Sequence, residues 1–389
     1  MKRTNVILCL RIFIWLLLLS CNQEANYKNI KRPKIEPAKT VKNIRIDKIH
    51  FDTIFIKQIA FSGKGFFDFS TDSVIFFDDV FATASTYSFE GKKGTRHLGL
   101  GNGPSEIRGF QNYVYHNGKH IFMNNWNVYT YNRNWQLENI KTITFDVRHS
   151  EKELMNNPRP DYQGIYEVKY FQNKITFIND SIILFNIESS HPLFNFLMHK
   201  EYYKESRIFA KLNYNTELVD EIFGYKPLTY LNYHFIPSFD YYHYYICDDK
   251  IYINFEPDSL IYIYDFDFNF IKAFGLAGNM KNINYIETDT YQKYYNLVKD
   301  ERTSKGYYYD IYVIPEKNII LRCYKTGITP ESDSEINPER MQIYRNDTLI
   351  GDIPTPFRFK NITFKKPYFY ADGYIDAENN IVGFYRFKL

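Results

Sequence analysis

The fold of this chain is decided by a stretch that reads IYIYDFDFNFI, from Ile261 to Ile271. Aromatic and β-branched residues alternate along its first half, a polar turn begins at Asp265, and an apolar run resumes after Asn269. Alternation with a period of two indicates a half-buried strand, and the aspartate and asparagine residues indicate a tight turn. The stretch therefore predicts a β-hairpin.

The same strand–turn–strand pattern recurs along the body of the chain. With one aromatic residue of each copy as a marker, successive copies lie 44, 54, 79, 80 and 41 residues apart. The markers are Tyr87, Tyr131, Phe185, Tyr264, Tyr344 and Tyr385. Periods of about 40 to 50 residues, with about four strands each, are typical of propeller blades.

Six copies predict an all-β fold: one six-bladed β-propeller over residues 42–389 with two partly helical insertions. The insertions are residues 197–224 and 284–302, whose helix-like spacing accounts for the two long intervals. An early strand from Val41 to Ile56 is available to complete the last blade, which would close the ring and remove open sheet edges. A set of β-sandwich domains is the alternative fold.

Charge excludes one class of partner. The chain has 389 residues, with 48 Lys and Arg against 45 Asp and Glu. The first twenty residues contain three of the basic residues and no acidic one, so the rest of the chain is neutral. A neutral protein has no net field that would hold a polyanion, so nucleic acid is not the expected main partner.

The N-terminus predicts export and lipidation. Residues 1–20 have a basic start and an apolar run from Val6 to Leu19, which is too short to span a bilayer and has the proportions of a signal peptide. The run ends before Cys21, where a bacterial lipobox would place the acylated cysteine. Residues 21–41 then read as a flexible tether to the membrane lipid. Asn22 favours the outer membrane, and an uncleaved N-terminal anchor is the alternative.

Two patterns, one of glycines and one of histidines, resemble ligand sites, but the residues around them do not fit such sites. Gly99, Gly101 and Gly103 are followed by a proline and strand-like residues, whereas a phosphate loop needs a helix directly after its glycines. We expect a blade-to-blade connection there, with the glycines at positive φ. His116 and His120 flank an Asn-Gly hairpin turn, which sends them to opposite faces. No catalytic residue, metal site or cofactor is therefore predicted.

Two further patterns leave alternatives open. Cys247 and Cys323 lie in strand-like runs and are either buried free thiols or one disulfide bridge. Tyrosine clusters at residues 240–245, at residues 294–295 and at residues 307–309 suit strand packing and a binding surface equally.

One segment resembles a known family. Residues 97–107 read HLGLGNGPSEI and precede a strand and a hairpin. This G-x-G-P-x-E segment resembles that of TolB-like six-bladed propeller lipoproteins of Bacteroidetes. The stretch from Tyr264 to Asp267 is similar to their strand–Asp–turn element, and KDER at residues 299–302 resembles a branch of uncharacterised function. The resemblance implies the fold and the compartment, and it carries no activity.

Together these observations predict an envelope-anchored lipoprotein that acts as a non-catalytic binding or scaffold propeller for a protein or peptide partner. Its predicted contact residues are Glu106, Arg108, Trp126, Asp300 and Arg302, on a face formed by blade connections. Two alternatives stay open: a hydrolase or lyase with its site in the central channel, and an accessory of an outer-membrane uptake system.

Overall fold

A computed structural model describes residues 32, 34–57, 61–171, 173–197, 200–233, 235–330 and 335–389. The chain divides into residues 1–34 and a compact unit from Ile35 to Leu389. The predicted signal peptide, the lipidated Cys21 and most of the predicted tether therefore lie outside the described residues. None of the helices in the described part of the chain is long and apolar enough to cross a membrane.

The compact unit consists of six antiparallel sheets, each built mainly from strands that follow one another in sequence. Blade 1 comprises Gly65–Asp68, Val74–Asp78, Thr83–Tyr87 and Lys93–His97. Blade 2 comprises Asn112–His116, Lys119–Asn124, Asn127–Tyr131 and Leu137–Thr142. Blade 3 has a first strand in two pieces, Tyr166–Val168 and Ile175–Phe177, followed by Ile182–His191, Phe209–Asn213 and Val219–Phe223, with the short strand Phe194–Asn195 beside Ile182–His191.

The remaining three sheets follow the same order. Blade 4 comprises Tyr242–Cys247, Lys250–Phe255, Ile261–Asp265 and Phe270–Phe274. Blade 5 comprises Gly306–Ile314, Ile319–Thr326, Glu339–Arg345 and Thr348–Pro354, with Val41–Ile46 as a fifth strand. Blade 6 comprises Lys360–Lys365, Tyr368–Asp376, Ile381–Phe387 and Asp52–Lys57. The predicted all-β, six-bladed propeller is confirmed, and the hairpin at Asp265 joins the third and fourth strands of blade 4.

Helices occur only in connections between strands of the described chain. The three α-helices are α1 (Glu151–Asn156), α2 (Lys200–Glu205) and α3 (Tyr291–Ser304). The 3-10 helices are Gln163–Ile165, Leu228–Asn232, Pro237–Phe239 and Pro315–Lys317. The predicted insertion at 284–302 contains all but the last two residues of α3, whereas the one at 197–224 is α-helical only over α2. The rest of that segment supplies the two outer strands of blade 3, and Phe185 therefore marks a second strand where the other markers lie on third strands.

The two ends of the compact unit close the ring. Asp52–Lys57 pairs antiparallel with Ile381–Phe387, and Arg386 Nη2 lies 3.0 Å from Asp52 Oδ2. The predicted closing strand thus covers only the second half of the segment from Val41 to Ile56. Its first half, Val41–Ile46, pairs parallel with the fourth strand of blade 5 because both segments run in the same direction there.

The segment before Val41 also contacts a blade. The Ala38 amide donates to the Ala273 carbonyl at 2.8 Å, and Thr40 Oγ1 accepts from the Gly275 amide at 2.9 Å. The chain is therefore bound to the outer strand of blade 4 before the predicted tether boundary at residue 41.

Large aromatic side chains fill the spaces between blades. Phe77 of blade 1 meets Phe122 of blade 2 edge-on at 5.6 Å between ring centroids, and Phe67 meets Phe384 of blade 6 at 5.4 Å. Such pairs add to the free energy gained from burying the ring area. The aromatic content of the chain is largely a packing requirement, since Tyr242, Tyr244, Tyr307 and Tyr308 of the predicted clusters are buried. Cys247 and Cys323 are free thiols.

Arg322 joins blades 4 and 5 through neutral acceptors. Its side chain is fully buried, and its guanidinium group donates to the carbonyls of Ser259 and Leu276 at 2.7 Å each. Nε also donates to Gln342 Oε1 at 2.9 Å, and the guanidinium carbon lies 4.0 Å from the centre of the Tyr308 ring. The planar fork suits this set of acceptors, which a lysine could not reach at once.

The closing strand gives a stability prediction. Ile56 is 4% exposed and packs against Val382 and Phe384, so Ile56→Ala should lower the free energy of unfolding by about 2 to 5 kcal/mol. Lys57→Ala, at the exposed neighbouring position of the same strand, is the control. Urea denaturation measures both variants. Equal midpoints for the two variants would show that closure does not limit stability.

Candidate functional site

The first strands of the six blades surround a central channel with a volume of about 910 Å³. This volume lies within the range of known ligand sites. Charged side chains of both signs line the wall together with tyrosines and side-chain amides. The charged residues are Lys64, Asp68, Asp79, Lys174, Arg302, Asp310, Lys325, Glu339, Arg358, Lys360 and Asp372.

Strand direction sorts the connections onto two faces. Because successive strands of a blade are antiparallel, the connections from fourth to first strands and those from second to third strands lie at the same end of the channel. Helices α1 and α3 are connections of the first kind, and α2 is a connection of the second kind. We call this end the helix-bearing face.

Most large apolar side chains that are exposed in the described chain belong to connections of the helix-bearing face. They are Val80, Phe81, Leu100, Trp126, Val147, Met155, Leu193, Leu228, Ile283, Ile286, Tyr291, Tyr295, Ile336 and Phe357. Concentrated exposed apolar area of this kind is typical of an interaction surface.

Three carboxylates of the channel wall already accept hydrogen bonds from the protein. Asp68 accepts from the Ser70 amide at 2.8 Å, and Asp310 accepts from the amides of Ile311 and Asn361. Glu339 accepts from the Tyr309 hydroxyl and from the Phe359 amide. The Lys325 ammonium lies 3.1 Å from the Glu339 carboxylate. These acids are therefore structural partners of the wall.

Two other carboxylates of the wall are less well neutralised. Burial raises the pKa of Asp372 to about 6, although Lys360 opposes the shift from 3.8 Å away. The pKa of Asp79 is also raised to about 6, mainly by removal from water, and Lys360 and Lys64 again act in the opposite direction. Both acids therefore change charge in the mildly acidic range.

Arg302 reaches the channel mouth from α3. Its Nη1 lies 2.5 Å from Glu256 Oε2 and donates to the Ser238 carbonyl at 2.9 Å, while its guanidinium carbon lies 4.0 Å from the centre of the Tyr307 ring. Burial alone would lower the pKa of Arg302, but Glu256 together with Tyr307 and Tyr241 outweighs burial, and the pKa is raised. The predicted contact residue Arg302 thus anchors α3 to blades 4 and 5.

A buried ionic cluster lies beside this anchor. Lys169 Nζ lies 2.9 Å from Glu188 Oε2 and 3.2 Å from Asp240 Oδ2, and Lys226 Nζ lies 2.9 Å from Asp240 Oδ1. All four side chains are almost completely buried, and the two charges of each sign balance. Removal of either acid would leave an uncompensated buried lysine, which is strongly destabilising.

Glu106 and Arg108 line a second, smaller cavity of about 440 Å³ beside blade 2. Arg108 Nε donates to Asn102 Oδ1 at 2.5 Å, and Glu106 Oε2 accepts from the Gly103 amide at 2.7 Å. The expectation of positive φ at Gly99, Gly101 and Gly103 is wrong, because positive φ occurs at other glycines.

Gly101 is needed for space rather than for its backbone angle. A Cβ atom there would lie 2.1 Å from Glu106 Oε2, so a side chain would displace the carboxylate. The connection therefore closes on itself through Glu106, as expected for a structural link between blades.

The other two predicted contact residues are exposed on the helix-bearing face. Trp126 is 41% exposed and packs edge-on against Phe145 at 5.6 Å. Asp300 is exposed on α3. The five predicted residues therefore share one face, but the structure divides them between the small cavity, the channel mouth and the open surface. Their binding role stays a prediction.

The predicted histidine geometry matches the structure. His116 stacks on Phe177 at 4.0 Å and His120 stacks on Trp135 at 3.7 Å, on opposite sides of blade 2. Within the described ranges, no group of three or more His, Cys, Asp or Glu side chains could hold a metal ion.

Sequence reasoning missed the cations of the channel wall at Lys64, Arg358 and Lys360. The sequence offers only a weak signal, the two cations of FRFK at residues 357–360, because Arg358 lies in the connection before the strand that begins at Lys360. The missing information was which strand of the blade is innermost.

Fold and channel define this chain as a six-bladed β-propeller with an open, polar central channel. No protein-family model matches the chain, and no curated protein matches its sequence. Solved structures are similar to it in fold. One is a member of the DUF4221 family from Bacteroides vulgatus, with a TM-score of 0.61 and 12% identity over 88% of this chain and 98% of that chain.

Two further structures are less similar. A Bacteroides fragilis protein named as exported has a TM-score of 0.49 and 10% identity over 90% of this chain and 98% of that chain. A luciferin-regenerating enzyme has a TM-score of 0.44 and 12% identity over 87% of this chain and 96% of that chain. The comparisons show the fold alone, and the similarity to the Bacteroides vulgatus structure agrees with the predicted resemblance at that level. The TolB-like and lipoprotein features stay predictions.

Asp372 gives a prediction on pH. Its folded pKa of about 6 lies above the ordinary value of 3.8, so the folded chain binds more protons and loses stability as pH rises from about 4 to about 6. Asp372→Asn should remove the part of this loss that Asp372 contributes, while the part from Asp79 stays, and it should raise the free energy of unfolding at neutral pH by up to about 3 kcal/mol. Denaturation across this pH range measures it, with the exposed Asp220→Asn as control. An unchanged pH profile would contradict the assignment.

Proposed function

We propose that this protein is a non-catalytic binding propeller of the cell envelope, which holds a protein partner on its helix-bearing face. The observation that carries the proposal is the concentration of exposed large apolar side chains on that face. Apolar area that stays in contact with water is unfavourable, and its concentration on one face is typical of surfaces that a partner covers.

The aromatic part of this face supports recognition of a protein. Tyr291 and Tyr295 of α3 are 57% and 65% exposed, and their rings stack on each other at 6.3 Å between centroids. Tyrosines offer a large contact area with little loss of side-chain entropy, which favours them at interfaces. The helix itself is fixed by Arg302, so the face is presented on a rigid support.

The envelope location rests on the sequence before the compact unit. Residues 1–20 have the pattern of a signal peptide, and Cys21 stands where a lipoprotein would be acylated. Lipid on this cysteine would hold the propeller at the outer membrane, because several acyl chains give durable attachment. The partner is then a protein of the same compartment.

Crosslinking in intact cells tests the proposal. The tagged protein is crosslinked in its native envelope and purified, with Cys21→Ala as the mislocalised control. We expect a specific envelope protein to be recovered only when Cys21 is present. Recovery of the same protein from both samples would separate partner binding from the membrane anchor, and recovery of none from either would contradict the proposal.

Variants of the face give a sharper prediction. Arg108→Ala and Trp126→Ala should each leave the melting temperature unchanged, because both side chains are exposed and have few contacts. Each should weaken recovery of the partner by about tenfold, as loss of an arginine or tryptophan anchor does. Arg133→Ala, in an exposed turn at the opposite face, is the matched control. Unchanged recovery with both variants would remove these residues from the contact surface.

A further inference from the structure

Three cations share one sector of the channel mouth, because Lys64 and Lys360 both act on the Asp79 carboxylate, and Lys360 and Arg358 both act on the Asp372 carboxylate. Lys64 precedes the first strand of blade 1, Arg358 precedes the first strand of blade 6, and Lys360 begins that strand. All three are exposed and line the channel. Closure of the ring brings them together, because it makes blades 6 and 1 neighbours although their residues lie far apart in sequence.

The side-chain donors of Lys64 and Arg358 bind no carboxylate of the described residues, and Lys360 makes only one long ion pair. Among the described residues, no carboxylate lies within 4.0 Å of the Lys64 ammonium or of the Arg358 guanidinium, and Lys360 approaches Asp372 only to 3.8 Å. The guanidinium carbon of Arg358 lies 5.9 Å from the centre of the Phe357 ring. This ring contact leaves the N–H donors of Arg358 available. The wall therefore presents open cationic donors, whereas Asp68, Asp310 and Glu339 already accept bonds from the protein.

We propose that Lys64, Arg358 and Lys360 form a binding site for an anionic oxygen group, a carboxylate or a phosphate, on a ligand that enters the channel from the helix-bearing face. The arginine fork can bind two oxygens of such a group at once, and the lysines add point charges beside it. The channel volume of about 910 Å³ admits a ligand much larger than the anionic group itself. This inference goes beyond the proposed protein partner and does not depend on it.

The neighbouring acids make the site sensitive to pH. The charged groups that face Asp79 are Lys360, Asp78 and Lys64. Those that face Asp372 are Lys360 and Arg358, and Asn361 and the Phe67 amide donate to its carboxylate. When Asp79 and Asp372 take up protons, the sector gains positive charge. A ligand that stays anionic therefore binds more tightly in mild acid than at neutral pH.

Calorimetric titration of the purified full-length protein tests the site with defined probes. Glucuronate and glucose form a pair that differs in charge, and inorganic phosphate distinguishes a phosphate site from a carboxylate site. We expect at least one anion to bind, glucose to bind at least about tenfold more weakly than glucuronate or phosphate, and glucuronate to bind more tightly at about pH 5 than at about pH 7.5. Glucuronate carries the pH comparison because its charge is constant over this range.

Two pairs of substitutions identify the residues. Lys64→Gln combined with Arg358→Gln should weaken anion binding by at least about tenfold. Lys93→Gln combined with Arg96→Gln, on the exposed outer strand of blade 1, removes the same charge and should have no effect. Asp79→Asn combined with Asp372→Asn should give at neutral pH the affinity that the unmodified protein has in mild acid. Thermal melting confirms that each variant is folded.

Several results would overturn the site. Equal binding of glucose and glucuronate would leave the channel as a binding site but remove the anionic assignment. Equal affinities for the channel pair and the outer-strand pair would place the anion elsewhere. Absence of binding by glucuronate and by phosphate would overturn the inference. It would not affect the proposed protein partner of the helix-bearing face, which the crosslinking experiment tests separately.

Discussion

Closure of the ring by strand Asp52–Lys57 is the constraint on which the rest of this structure depends. Six sheets around an axis can cover one another only if the first and last blades meet, and here the strand that completes blade 6 comes from the start of the compact unit. The aromatic contacts between Phe67 and Phe384, across blades 1 and 6, exist only in the closed ring. So does the juxtaposition of Lys64 with Arg358 in the channel wall.

Closure also explains why one side of the molecule carries the features of a binding site. The number and direction of strands in each blade fix the end at which every long connection emerges, so α1, α2 and α3 share a face without any contact that requires it. Arg302 then fixes α3 to blades 4 and 5, and the buried cluster around Asp240 fixes the connection between blades 3 and 4. A rigid channel wall and a helix-bearing rim therefore arise from the same topology.

The sequence predicted the fold because its signal is local and repeated. The hairpin from Ile261 to Ile271 and its counterparts carry alternation and turn residues that do not depend on distant contacts. The same pattern makes Phe185 an equivalent marker, although Phe185 lies on a second strand, because the outer strands Phe209–Asn213 and Val219–Phe223 of blade 3 have weak alternation. The cations of the channel escaped prediction for a physical reason: Lys64 and Arg358 lie on opposite sides of the ring closure, and no local pattern reports which strands become innermost.

The segment that precedes the closing strand has a mechanical consequence. Ala38 and Thr40 are bonded to blade 4, and Val41–Ile46 then runs parallel to the outer strand of blade 5. A pulling force that enters the compact unit at Ile35 must first break these contacts before it reaches Asp52–Lys57. Tension transmitted through the preceding chain therefore acts first on the parallel strand and its contacts, and the closing strand bears it only after they break.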